Sequence, residues 1–282
     1  MSENTVNINW FPGHMAKARR LMEEQLKLVD IVIELRDARI PEASQNPMLA
    51  ELSQNKPVLI ILNKADYSDP KINEKWKSYF DHCLLTNSLN DNLTKTVVEE
   101  VKVILKDKLD RAKARGIRKK VLRAMVVGIP NVGKSTFINN IVKKKVAKTE
   151  NRPGVTRSLQ WIRINEDLEL LDTPGVLWPK IDDQNAARLL ALLGSINDDV
   201  VDRKDLVIFG LNYIKENYPG LLHKKYEIDE NEDNLFEAIA YKKLWLLSEN
   251  RINEDKALDS ILKDIRNNRI GRISYQDVGK QI

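Results

Sequence analysis

The chain has 282 residues, 42% hydrophobic and 31% charged, the balance of a soluble globular protein with room for about two domains. Cys83 is the only cysteine, which excludes an intramolecular disulfide and a cysteine metal cluster and agrees with a reducing cytosol. The formal net charge of +5 favours an anionic partner, although scattered lysines on solvated helices would give the same excess.

The polar run before Trp10 lacks the basic segment and apolar core of a signal peptide, and no apolar run approaches the roughly 20 residues that span a bilayer. A cytoplasmic protein without a membrane partner is expected. After the Pro12-Gly13 turn, Met15, Ala18, Met22, Leu26 and Val29 recur at helical spacing. Three β-rich runs follow: Ile31 to Leu35, ending at Asp37; Val58 to Leu62; and a short one around Cys83 to Thr86. Val97, Val98, Val101, Ile104, Leu105 and Leu109 predict one helix running into a basic stretch that Gly116 stops. Leu122 to Val127 predicts a strand entering a glycine loop, with a helix from about Lys134 and strands near 160–164 and 168–171.

Strands alternating with helices predict a mostly parallel α/β sheet flanked by helices. Beyond Pro179 the pattern becomes helical, over 185–196, 204–217, 233–247 and 255–267, with Pro219-Gly220 and Gly271 as breaks. The division expected is therefore an α/β domain over 1–180 and a small all-α domain over 181–282.

Gly128-Ile129-Pro130-Asn131-Val132-Gly133-Lys134-Ser135 has the phosphate-loop pattern, between a predicted strand and a predicted helix. Its glycines let backbone N–H groups turn toward a phosphate, Lys134 supplies a point charge and Ser135 offers a hydroxyl to Mg²⁺. The helix N-terminus behind the loop adds a favourable dipole, and Thr136 follows directly as a further binding candidate. Asp172-Thr173-Pro174-Gly175 closes an apolar strand, so Asp172 suits a grip on Mg²⁺ and the Gly175 N–H can meet a γ-phosphate. Asn63-Lys64-Ala65-Asp66 follows another strand. Asp66 there can accept two N–H bonds from the guanine edge, which adenine cannot supply, although the tetrapeptide alone reads more readily as a helix cap or turn. Asn87-Ser88 could pad the other side of the base.

These residues resemble the TRAFAC GTPases, but with the guanine-reading motifs ahead of the phosphate loop. That order, with Trp10-Phe11-Pro12-Gly13-His14-Met15 and Asp37-Ala38-Arg39-Ile40-Pro41, resembles the circularly permuted, YlqF-type family over nearly the whole chain. The resemblance implies a permuted phosphate-loop GTPase domain followed by a helical RNA- or ribosome-contacting domain. It implies GTP and GDP as ligands and the precursor of the large (50S) subunit, with its 23S rRNA and ribosomal proteins, as partner and activator of a monomeric chain.

Permutation cuts the chain at the segment that senses the γ-phosphate, so nucleotide state is expected to be coupled to the helical domain's position. Val176 follows Gly175 where many GTPases carry a glutamine, and an apolar side chain cannot orient water. The resemblance implies His14 for that role; without it, His14 reads as a residue completing a turn. Thr156, after Pro153-Gly154, is the candidate to complete Mg²⁺ coordination. Asn131 matches the residue that holds K⁺ in related potassium-activated GTPases.

Basic residues cluster at Lys17, Arg19 and Arg20, along Arg111 to Arg123, over Lys143 to Lys148, and at Arg266, Arg269 and Arg272. No aromatic-interleaved stacking motif accompanies them, which favours structured rRNA over single strands. A signalling switch with a protein or membrane partner, and a GTP-binding RNA scaffold without catalysis, both stay open.

Overall fold

The computed structural model describes residues 19–20, 22–53, 56–88, 93–142, 160–172 and 183–280. The apolar runs form β1 (Ile31–Asp37), β2 (Val58–Asn63), β3 (Cys83–Thr86), β4 (Leu122–Gly128), β5 (Gln160–Arg163) and β6 (Leu168–Asp172). They make one sheet in the order β3-β2-β1-β4-β6-β5. Every neighbouring pair is parallel except β5 with β6.

Parallel strands covered on both faces read as continuous apolar runs rather than alternating ones. β1 shows what this demands of polar residues, since it is buried throughout. Its Glu34 is satisfied by Arg36, at 2.6 Å from Nη2, and by the Asn46 backbone N–H at 3.1 Å.

The helices of this half are α1 (Pro47–Leu52), α2 (Pro70–Tyr79), α3 (Leu93–Ile104), α4 (Lys106–Ala114) and α5 (Lys134–Val142). One face of the sheet receives Val97 and Val101 of α3 and Phe137, Ile138 and Ile141 of α5, against Ile31, Ile33 and Val126. The other receives Met22 and Leu26, from a helical segment over 22–26, with Met48 and Leu49 of α1. Trp76 of α2 is fully buried with Leu62 and Ala38, and stacks on Phe80 at 5.7 Å.

The single helix expected over 97–109 is two. It breaks at Leu105 (φ −97°, ψ 16°) with no side-chain cap. Beyond Leu105 the apolar stripe thins to Leu109 and Ala112, too narrow to hold one straight helix against the sheet. Gly116 then takes φ +79°, in line with its expected role as a stop.

The helical half comprises α6 (Gln184–Leu192), α7 (Arg203–Asn217), α8 (Leu221–Tyr226), α9 (Leu235–Lys242) and α10 (Glu254–Arg266). The boundary expected near residue 180 lies outside the described residues. α9 stops at Lys242, short of the expected 247, and Leu244 takes a left-handed φ of +54°. α8 was not legible, because its start is capped from seven to ten residues downstream. The Glu230 carboxylate accepts from the N–H groups of Gly220, Leu222 and His223 at 2.7, 2.8 and 3.0 Å. After α10 the chain returns to the α/β half, burying Ile273 and Tyr275.

Candidate functional site

Register places the site. Asp37 pairs with Asn63 and Asn63 with Thr86, so the C-terminal ends of β1, β2 and β3 form one row. β4 lies on the far side of β1 and delivers the phosphate loop at the same edge. Chain connections diverge between β1 and β4, the kind of crevice where open α/β sheets bind ligands.

Asn63, the buried last residue of β2, ties three loops together. Its Nδ2 donates to the Val132 carbonyl at 2.8 Å, while its Oδ1 accepts from the Ser88 N–H at 3.1 Å, the Ser88 hydroxyl at 2.7 Å and the Thr86 hydroxyl at 3.3 Å. Lys64 takes a left-handed φ of +58°, and its ammonium donates to the Asn131 carbonyl at 2.8 Å and to Asp37 at 3.0 Å. Residues at 63–64 and at 131–132, far apart in sequence, are thus directly bonded.

The cleft beside this junction has a volume of about 190 Å³. Its lining includes Asn63, Lys64, Asp66, Asn87, Ser88, Gly133 and Thr136, all expected from sequence. Ala65 is absent from that lining; its carbonyl instead accepts from Asn73 and Arg272. Asn131, Val132, Lys134 and Ser135 continue the phosphate loop on either side of Gly133. Glycine is obligatory at Gly133, where φ is +94° and an added Cβ would lie 2.5 Å from the Asn63 amide nitrogen. Lys134 and Ser135 open α5, so anionic groups at the loop meet that helix's positive end.

Asp37 is the electrostatic centre of the junction. Burial alone would push its carboxyl up; the charges of Arg39 and Lys64, with hydrogen bonds from Arg39, outweigh this and hold it well below the usual carboxylate range. Arg39 grips both carboxylate oxygens, at 2.9 and 2.8 Å. Burial lowers the Lys64 ammonium, and Asp37 only partly restores it. Cys83, by contrast, is chemically quiet, its thiol pushed up to about 12 by burial.

His14, Thr156 and Gly175 lie outside the described residues. So does the side chain of Asp172, whose backbone ends β6 one strand from β4. Ser135 opens α5 and the backbone of Asp172 ends β6 at the same edge of the sheet, and these residue types carry the oxygen donors that Mg²⁺ prefers. Among the described residues no cluster of three His, Cys, Asp or Glu side chains forms a metal site.

Sequence reasoning missed three lining residues: Tyr67, next to Asp66, and Arg266 and Asn267, which come from the end of α10. The nearest signal was the Arg266, Arg269 and Arg272 cluster, expected to face RNA. In the structure all three have partners within the chain, Arg269 in Asp264 at 3.6 Å. Arg266 pairs with Asp198 and donates to the carbonyls of Ala191 and Leu192, and Arg272 donates to those of Ala65 and Ser68. Arg19 and Arg20 also have acidic partners, in Glu23, Glu51 and Glu24. Lys17 and 143–148 lie outside the described residues. No helix among those described is long and apolar enough to cross a membrane.

Strand order and phosphate loop define a phosphate-loop GTPase whose sequence is circularly permuted. Residues 123–251 match the family described as 50S ribosome-binding GTPase. The chain is 46% identical over 278 residues to ribosome biogenesis GTPase A of Bacillus pumilus, covering 96% of this chain and 99% of that one. It is 34% identical over 274 residues to the probable ribosome biogenesis GTPase A of Mycoplasma genitalium, covering 96% and 97%. The crystal structure of GNP-bound YlqF from T. maritima shares the fold, with a TM-score of 0.69 at 24% identity over 94% of this chain and 100% of that one. The chain belongs to the ribosome biogenesis GTPase A family and is a GTP-hydrolysing enzyme of ribosome biogenesis.

Proposed function

We propose that this GTPase acts late in maturation of the large ribosomal subunit, binding the 50S precursor through its 23S rRNA and ribosomal proteins and hydrolysing GTP when that particle completes its site. The observation that carries the reading is the bond from Asn63 to the Val132 carbonyl, which brings the displaced guanine motif onto the phosphate loop. In this reading Asn63 to Asp66, Asn87 and Ser88 receive the base. Asn131 to Thr136 and the Gly175 N–H receive the phosphates. Ser135, Asp172 and Thr156 would hold Mg²⁺, which would supply charge neutralisation for phosphoryl transfer. Residues 1–180 form the GTPase domain and 181–282 the helical, ribosome-contacting domain of a monomer.

His14 orients the attacking water in place of a glutamine, because Val176 cannot. It lies on a segment a partner would position, so turnover by the free protein is slow. A groove of about 350 Å³ lined by Lys108, Arg111, Ala112, Arg115, Ile117 and Lys120 supports an RNA partner, since four of the six residues are cationic.

Single-turnover GTP hydrolysis with and without 50S particles tests this reading. Acceleration by the particle is expected, and equal rates would refute activation. His14→Ala should lose that acceleration; a wild-type rate with particles present would remove His14 from catalysis. With Asn131 as a potassium ligand, hydrolysis is faster in KCl than in NaCl, and equal rates would end that assignment.

A further inference from the structure

The loop that carries Asp66 is held from outside by the helical half. Four consecutive carbonyls accept from the segment after α10: Ala65 from Arg272 Nη2 at 2.9 Å, Asp66 from Asn268 Nδ2 at 3.2 Å, Tyr67 from the Ile273 N–H at 3.0 Å, and Ser68 from Arg272 Nε at 2.9 Å. The Asp69 N–H then donates to the Ser274 hydroxyl at 3.0 Å. A backbone gripped at successive residues presents its side chains in one geometry, and the only carboxylate of the loop lining the cleft is Asp66.

A second chain of contacts fixes the end of α10 itself. The Arg266 carbonyl accepts from Arg39 at 3.2 Å, and Arg39 grips Asp37, which also holds Lys64. Lys64 donates to the carbonyl of Asn131, whose own amide donates at 2.6 Å to the carbonyl of Gly194, just beyond α6. Arg266 closes the ring by donating to the carbonyls of Ala191 and Leu192. Asp37-Ala38-Arg39, a motif without an assigned role, is therefore the joint between phosphate loop and helical half.

We propose that the end of α10 and the segment following it are part of the purine-binding site: Arg272 sets the loop that aims Asp66, and Arg266 and Asn267 form the outer wall of the base cleft. The helical domain is then a determinant of guanine specificity as well as a contact surface. This rests on Asp66 as the group that reads guanine.

The experiment is calorimetric binding of GDP and of inosine diphosphate, which lacks the 2-amino group that Asp66 would read. Wild-type protein prefers GDP. Arg272→Met, which keeps the stem but removes both donors, should reduce that preference by about 3- to 10-fold, the scale of one or two hydrogen bonds. Arg272→Lys, which retains one donor, restores part of it. Asn267→Ala, at an exposed position, should weaken both nucleotides by about 2- to 5-fold through lost wall contact.

An unchanged GDP preference in Arg272→Met, or an equal loss for both nucleotides, overturns the loop-setting role. Wild-type affinities in Asn267→Ala overturn the wall. Asp66→Ala separates this proposal from the reading beneath it. If that variant keeps the preference for GDP, Asp66 does not read guanine; if it loses the preference while Arg272→Met does not, only the role of the C-terminal segment fails.

Discussion

Asn63→Ala isolates the junction between the guanine motif and the phosphate loop. This buried amide makes four hydrogen bonds: it donates to the Val132 carbonyl and accepts from the Thr86 hydroxyl and from the Ser88 N–H and hydroxyl. The Thr86 and Ser88 hydroxyls can rotate to other acceptors. The Val132 carbonyl and the Ser88 N–H are fixed by the backbone, and each orphaned group costs about 1–3 kcal/mol. Water entering from the open cleft offsets part of this, leaving a loss of about 2–4 kcal/mol. For a chain of this size that lowers Tm by roughly 5–10 °C. Urea unfolding of nucleotide-free protein checks the value, and GDP titration should show weaker binding, because the Lys64 and Ser88 loops lose their common strut. A stability loss below about 1 kcal/mol would refute the reasoning, since Asn63 would then contact ligand without bracing the loops. Asn63→Asp should be at least as damaging, because it turns a lone pair toward the Val132 carbonyl in place of an N–H.

Gly133→Ala brings a Cβ to 2.5 Å from the Asn63 amide at a residue with φ +94°, so GDP affinity should fall at least about 10-fold in a titration. Asp37→Asn leaves Arg39 and Lys64 without their counter-charge and should cost about 3–5 kcal/mol at neutral pH. The wild-type carboxyl stays ionised when folded, while the unfolded chain takes up a proton below about pH 3.9, so the Asp37 contribution is present above that pH and fades toward acid. The penalty of Asp37→Asn measured by denaturation should therefore be smaller at pH 3 than at pH 7; equal penalties would contradict the assignment. Trp76→Ala empties a fully buried site and removes the indole bond to the Gln276 carbonyl, with an expected cost of about 3–5 kcal/mol by urea unfolding. Faster amide exchange near 273–277 should accompany it, and unchanged exchange would show that the C-terminal segment docks independently of Trp76.

Much of this protein is local information. Strands such as Val58–Asn63 and Cys83–Thr86 are short apolar runs bounded by turn residues, so their limits follow from composition. The phosphate loop and Asn63 to Asp66 are contiguous motifs whose chemistry needs those residue types at that spacing, and their reversed order is a property of the sequence alone. What the linear chain does not carry is which long-range partner satisfies a buried polar group. Asp37 and Arg39 read only as part of a family motif; their ring through Lys64, Asn131 and Arg266 exists because β1, β2 and β4 end at one edge. The cap of α8 by Glu230 was hidden for the same reason, as were Arg266 and Asn267 beside the base cleft. Charge said that Arg266 and Arg272 sought anions or acceptors, and only the folded chain decided that these were Asp198 and backbone carbonyls of its own molecule, because long-range packing sets which acceptors lie within reach.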